Sequence, residues 1–174
     1  MPRKREIYWF ALTVFKDLPG LEKTFAEFGW ETYRPFTIYE EFTKMGLEHK
    51  EVPLVPRLLF VKCPIKKLVD FKQANYERFM YYRAADSNLP GPVDDKEMEV
   101  FRFVTSIQGD NVRFIGEDKP EYHQGDRVRV TQGIYKGAEG YIKRVKRSRD
   151  LLVCVQGVTV VAISKLPPEF LEKV

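Results

Sequence analysis

The sequence predicts an α+β fold, a sandwich of helices on an antiparallel-rich sheet, followed by a small all-β barrel. Three observations predict it. Over residues 6–110 apolar, strand-like runs alternate with segments of helical spacing; a polar stretch over 111–121 reads as a linker; from residue 122 onward glycine turns and β-branched runs take over. A chain of 174 residues, 44% hydrophobic and 31% charged, has room for one domain plus a small module and is not the composition of a disordered protein. It contains no apolar run of the roughly 18 residues that a membrane span needs, and its basic start, MPRKR, is not followed by a cleavage pattern. The cytoplasm is therefore the expected location, with no membrane partner.

Taken in order, Tyr8–Val14 reads as a buried strand that stops before Pro19-Gly20. A helix follows, with Leu21, Phe25 and Phe28 in one stripe and Gly29-Trp30 suited to a left-handed cap with an apolar residue folding back. Thr32–Ile38 is β-branched and aromatic and predicts a second strand. The charged run from Glu40 to Glu51 predicts an exposed loop or hairpin tip. Leu58–Cys63 is the most apolar run of this half and predicts a central strand. Pro64 suits the start of a helix over Ile65–Asn75, with Ile65, Leu68, Val69 and Lys72 at helical spacing. Phe79–Arg83 predicts another strand. Asp94 with Glu97 resembles a capping box for a third helix, buried through Met98, Phe101, Phe103 or Val104, and Ile107, and ended by Gly109, Asp110 and Asn111. Beyond the linker, Val128 and Val130 alternate, and Leu151–Gln156 and Val158–Ile163 flank a turn at Gly157.

The glycines of this second region raise the question of a phosphate site. Gly133 and Gly137 are three residues apart, Ala138 follows instead of Lys, and no helix comes next, so the spacing is not that of a phosphate-binding loop. Gly125, Gly133, Gly137 and Gly140 read instead as turn and close-approach positions of a tight barrel. Catalytic machinery is not evident. His49 and His123 lie in polar segments, Cys63 and Cys154 read as buried thiols, and their spacing implies no metal, no cofactor and no disulfide. Glu40-Glu41 reads as a solvated loop and Asp94-Asp95 as a helix cap.

Charge is distributed unevenly. From Glu121 onward there are ten Lys+Arg against six Asp+Glu; subtracting these from 29 and 25 leaves 19 of each before it, so the whole excess of +4 lies in the last 54 residues. Lys143, Arg144, Lys146, Arg147 and Arg149 form a basic run. It suits a phosphate backbone or an acidic partner, and equally a solvated hairpin tip.

Tyr122–Ile142, YHQGDRVRVTQGIYKGAEGYI, resembles the KOW motif of the NusG family of transcription elongation factors. Gly125-Asp126 stands at the Gly-Asp of that motif, and Gly133, Gly137 and Gly140 at its later glycines, so the resemblance implies that all five are motif positions. Trp9-Phe10 is similar to the family's opening strand, EVPLVPRLLFVKCP (Glu51–Pro64) to the segment that carries Pro-Asn-Tyr-Leu-Phe-Val in its specialised branch, and Pro92-Val93 with DDKE to its third-helix start. The resemblance implies an NGN domain over 6–110, a linker over 111–121 and an SH3-like KOW barrel over 122–174. It further implies that the first domain docks on the clamp helices of the RNA polymerase largest subunit, through Phe10, Val55, Leu58 and Phe60, and suppresses pausing and termination. Pro56-Arg57-Leu58 departs from the family's Pro-Gly-Tyr or Pro-Asn-Tyr, replacing a small residue by a charge and losing the aromatic. RLLFVKCP looks more like the operon-specific RfaH/UpxY-type paralogues that antiterminate surface-polysaccharide operons. For such factors Lys16, Lys23 and Arg34 are candidate contacts to non-template DNA or nascent RNA. The barrel implies a second partner, a small-subunit ribosomal protein or the termination factor Rho. The β-branched content of Leu151–Ile163 predicts that it is a barrel throughout its life rather than a refolding helix. A monomer and no enzymatic activity are expected. The rival readings are a ribosome-associated or RNA-binding KOW protein, against which the balanced first part speaks, and an enzyme acting on nucleic acid.

Overall fold

The computed structural model describes residues 6–107, 111–145 and 148–174, and it divides into two compact units, Met1–Arg34 with Val55–Asp95, and Pro35–Leu54 with Lys96–Val174. The class is α+β with antiparallel sheets. Among the described residues no helix is long and apolar enough to cross a membrane.

The first half runs β1 (Ile7–Val14), α1 (Leu18–Glu27), β2 (Glu31–Tyr33), β3 (Phe36–Thr43), β4 (Gly46–Pro53), β5 (Leu58–Pro64), α2 (Ile65–Ala74), β6 (Phe79–Tyr81) and β7 (Pro92–Val93). Its main sheet has the order β2-β5-β1-β6, with β7 also on β1. The two most apolar runs lie at the centre because a strand paired on both sides sheds most water. Since side chains alternate across a strand, the register Phe10↔Val61 and Leu12↔Leu59 assigns these four to one face, where they join Leu21, Phe25 and Leu68 of the helices in a core. Trp9, Ala11, Leu58 and Phe60 belong to the other face.

Helix α1 begins where the Asp17 carboxylate accepts the Gly20 N–H at 3.1 Å and ends as the sequence predicts. Gly29 is left-handed (φ 77°), the Trp30 N–H returns to the Phe25 carbonyl at 2.9 Å, and the Trp30 ring packs 5.4 Å from that of Phe25. Phe71 of α2, one helical turn beyond Leu68, packs on the same core and is not marked by the sequence pattern.

The strand expected over Thr32–Ile38 is two strands. Pro35 has no N–H for a ladder, so β2 stops at Tyr33 and the chain leaves to form β3. The charged run expected as a loop or hairpin tip pairs with it as β4, in register from Phe36↔Pro53 to Thr43↔Gly46, and every β4 residue is exposed. The backbone ladder defines it, and solvated cross-strand charges such as Lys50 Nζ to Glu41 at 2.8 Å add little.

The second half runs α3 (Asp95–Ser106), β8 (Val112–Gly116), a 3-10 turn at Pro120–His123, β9 (Arg127–Val130), β10 (Glu139–Val145), β11 (Ser148–Val155), β12 (Thr159–Ile163), a 3-10 turn at Pro168–Phe170 and β13 (Leu171–Lys173). The sheet order is β13-β9-β10-β11-β12-β8. Two sequence expectations are corrected here. The stretch read as a linker over 111–121 contains β8, which pairs with β12 from Val112↔Ile163; its Val-Arg-Phe-Ile core forms a strand despite the polar residues around it. The third helix, expected with the first sheet, lies in the second unit: Glu97 accepts the Gln156 N–H at 2.9 Å and Lys96 faces Glu139 at 3.7 Å. The expected helix end at Gly109 and Asp110 lies outside the described residues.

Candidate functional site

The motif glycines divide by physical role. Gly133 (φ 85°) and Gly137 (φ 96°) occupy left-handed turn positions that a side chain strains. Gly125 and Gly140 are instead close approaches, where a Cβ would run into the carbonyl oxygens of Ile142 and Leu152. Their job is to close backbone on backbone. Asp126, the acidic residue of the motif, differs from them. Its carbonyl accepts the Ile142 N–H at 2.9 Å, which ties the start of β9 to β10, but its carboxylate is exposed and lies 3.4 Å from Lys173 Nζ of β13. The visible contribution of Asp126 to the motif is made by backbone, since a solvated ion pair of this kind is worth little. Between the glycines Tyr135 and Ala138 are buried, and Glu139, only 9% exposed, accepts from Arg129 Nε at 3.0 Å and Arg127 Nη2 at 3.1 Å. Burial by itself raises this carboxyl, but the two arginine hydrogen bonds and the charge of Lys96 outweigh it and hold it below the ordinary glutamate value.

The expected polymerase contacts do not form one exposed hollow. Phe10 faces the helix-covered core, while Leu58 and Phe60 lie on the opposite face of the sheet; Val55 follows β4. All four are buried, Phe10 and Phe60 completely. Arg57, between Pro56 and Leu58, is exposed and left-handed (φ 62°), a conformation suited to the glycine or asparagine of the resembling motif.

Of the basic candidates on the first unit, Lys16 pairs with Glu77 at 3.7 Å and Arg34 with Glu22 at 3.3 Å, while Lys23 is exposed. In the basic hairpin Arg144 and Arg149 are exposed and directly opposite in register, a like-charge pair that an anion would relieve. Lys143 lies 4.5 Å over the Tyr122 ring. Lys146 and Arg147 lie outside the described residues.

Three features are not legible as sites in the sequence. Phe28, Trp30 and Phe71 line an open hollow of about 450 Å³ on the first unit, with Lys67 and Asp70 at its side. The hairpin turn exposes Phe42 (86%) and Met45 (91%). Asp118, His123 and Cys154 converge in the second unit: His123 Nε2 lies 2.8 Å from Asp118 Oδ1, and the Cys154 thiol is within hydrogen-bonding reach of the same carboxylate. The expectation of no clustered metal ligands rests on their sequence spacing, which cannot show a convergence across β8, a 3-10 turn and β11. Both cysteines are buried and free, and burial pushes each thiol up to about 12, helped at Cys154 by the charges of Asp118 and Glu97.

No family model and no curated protein matches the chain. Among solved structures it is similar to NusG of Thermotoga maritima, described as "Domain interaction in Thermotoga maritima NusG", at 17% identity, over 97% of this chain and 98% of that one, with a TM-score of 0.47.

Proposed function

We propose that the protein is a non-enzymatic transcription elongation and antitermination factor of the NusG type, with an NGN module built on the first sheet and a KOW module that takes in β8 together with residues 122–174. On this reading it binds the clamp helices of the RNA polymerase largest subunit, holds the clamp over the nucleic acids and shortens pauses, while the KOW module recruits a ribosomal small-subunit protein or Rho. The observation that supports it most is the Tyr122–Ile142 motif, in which the four glycines at the hallmark positions of the resembling family each have a geometric reason. Docking through Leu58 and Phe60 requires their face to open, since both are buried here. The tip of the β3–β4 hairpin is already accessible, and its two large apolar side chains suit insertion into a protein partner. Operon-specific recruitment through unpaired DNA or RNA fits the half-exposed Phe28 ring beside Lys67, which offers a stacking surface next to a cation.

The test is retention of core RNA polymerase by the purified full chain, together with pause duration on a defined template. Retention and shortened pauses are expected. The double variant Phe42→Ser, Met45→Ser is expected to stay within about 0.5 kcal/mol of the parent in stability, because the side chains are solvated, and to lose polymerase retention. Leu58→Asp does not serve this purpose: burying a charge at that position costs several kcal/mol of folding and unfolds the module before docking is tested. Retention of ribosomes but not polymerase would instead favour a ribosome-associated RNA-binding protein, and cleavage of nucleic acid an enzyme.

A further inference from the structure

The ligand atoms of Asp118, His123 and Cys154 all lie within 4.8 Å of one another. We propose that this trio binds one borderline-soft divalent cation, with zinc as the natural match, independently of any role in transcription. The donors are a carboxylate oxygen, an imidazole nitrogen and a thiolate sulfur, the mixture that zinc accepts and that magnesium or calcium does not. Zinc bonds of roughly 2.0–2.3 Å bring the ligand atoms of a tetrahedral site under about 4 Å apart. The trio is completed by closing its widest separation by about 1 Å or less and opening the 2.8 Å His123–Asp118 pair to about 3.3 Å.

The site is already ordered by its surroundings. Asp118 Oδ2 accepts the Gly157 N–H at 2.8 Å, the kind of outer hydrogen bond that orients a ligating carboxylate. The His123 ring rests 5.0 Å from the Tyr141 ring. Cys154 is fixed by the β11–β12 pairing with Val160. On binding, the cation takes the place of the His123–Asp118 hydrogen bond: Nε2 presents its lone pair and the ring proton sits on Nδ1. The S–H bond of Cys154 breaks, a metal–sulfur bond forms, and the proton leaves to solvent. Carboxylate and thiolate together cancel the two positive charges, and water takes the fourth position. The bound ion ties the segment after β8 to β11, so it acts as a staple on the second sheet.

Cobalt(II) is the probe, titrated into the full chain under reducing conditions and followed by absorption. The expected result is saturation at one equivalent with a thiolate-to-cobalt charge-transfer band and the visible bands of a tetrahedral site, all displaced by zinc. Cys154→Ser removes the charge-transfer band. Asp118→Asn and His123→Ala weaken binding by more than the roughly 10–100-fold typical of outer-shell partners. Cys63→Ser, in the apolar core of the first unit, changes nothing. Because the His123 side chain is 28% exposed, its variant tests the site even if Cys154→Ser fails to fold. A saturating titration of the parent without a charge-transfer band overturns the proposal, as does a band that survives in Cys154→Ser or vanishes in Cys63→Ser.

Discussion

Gly140 shows how strictly one missing atom is demanded. A methyl at that position meets the Leu152 carbonyl oxygen, which β11 pairing does not let move. Gly140→Ala should therefore cost about 3 kcal/mol, the upper end for overpacking, read as a lower urea midpoint with unchanged slope. The opposite case is Arg57. A left-handed L-residue costs about 1–2 kcal/mol, of which glycine gives back part through its greater freedom when unfolded. Arg57→Gly should stabilise the chain by up to about 1 kcal/mol, a rise in the same midpoint, and a fall would mean that the guanidinium makes contacts worth more than the strain. Both positions are marked in the sequence, Gly140 by the Tyr122–Ile142 motif and Arg57 as a departure from the family's Pro-Gly-Tyr or Pro-Asn-Tyr segment. Spacing carries the need for glycine but not its cause, which is torsional at Gly137 and steric at Gly140. Nor does it tell that Asp126, beside Gly125 in the same motif, serves through its carbonyl while its carboxylate stays in solvent.

At the scale of elements, the neighbouring strands β9 and β10 are joined on one face by the Arg127, Arg129 and Glu139 cluster. A carboxyl held below its ordinary value contributes stability that is complete above its unfolded value and is lost as pH falls through its folded value. Glu139→Gln should cost about 2 kcal/mol at neutral pH, the scale of hydrogen bonds to a charged group, and the difference from the parent should vanish in acid. Hydrogen exchange of the β9 and β10 amides in the full chain measures both; a pH-independent difference would assign the loss to packing. The alternating Arg-Val-Arg-Val of β9 is readable because its valines are buried and its arginines exposed. The β3–β4 hairpin is harder to read, since charges on both strands mask the period of two, and its strand character comes from pairing rather than burial.

For the whole molecule, the unequal charge distribution separates a balanced first part from a basic last 54 residues. If the basic excess meets nucleic acid, affinity should fall linearly on a double-logarithmic salt plot, and Arg144→Glu with Arg149→Glu should flatten that slope without moving polymerase retention. An unchanged slope would leave the hairpin as a solvated tip.

The sequence by itself determined the three helices and the central apolar strands, the burial of both thiols, and the structural duty of the motif glycines, because each depends on local torsion, period or volume. Tertiary structure alone decided that Phe10 and Phe60 lie on opposite faces, that Leu58 is sealed, that β8 belongs to the second sheet, and that Asp118, His123 and Cys154 meet. Periodicity tells a side chain to leave water. It does not say which distant strand, and in what register, will be waiting there.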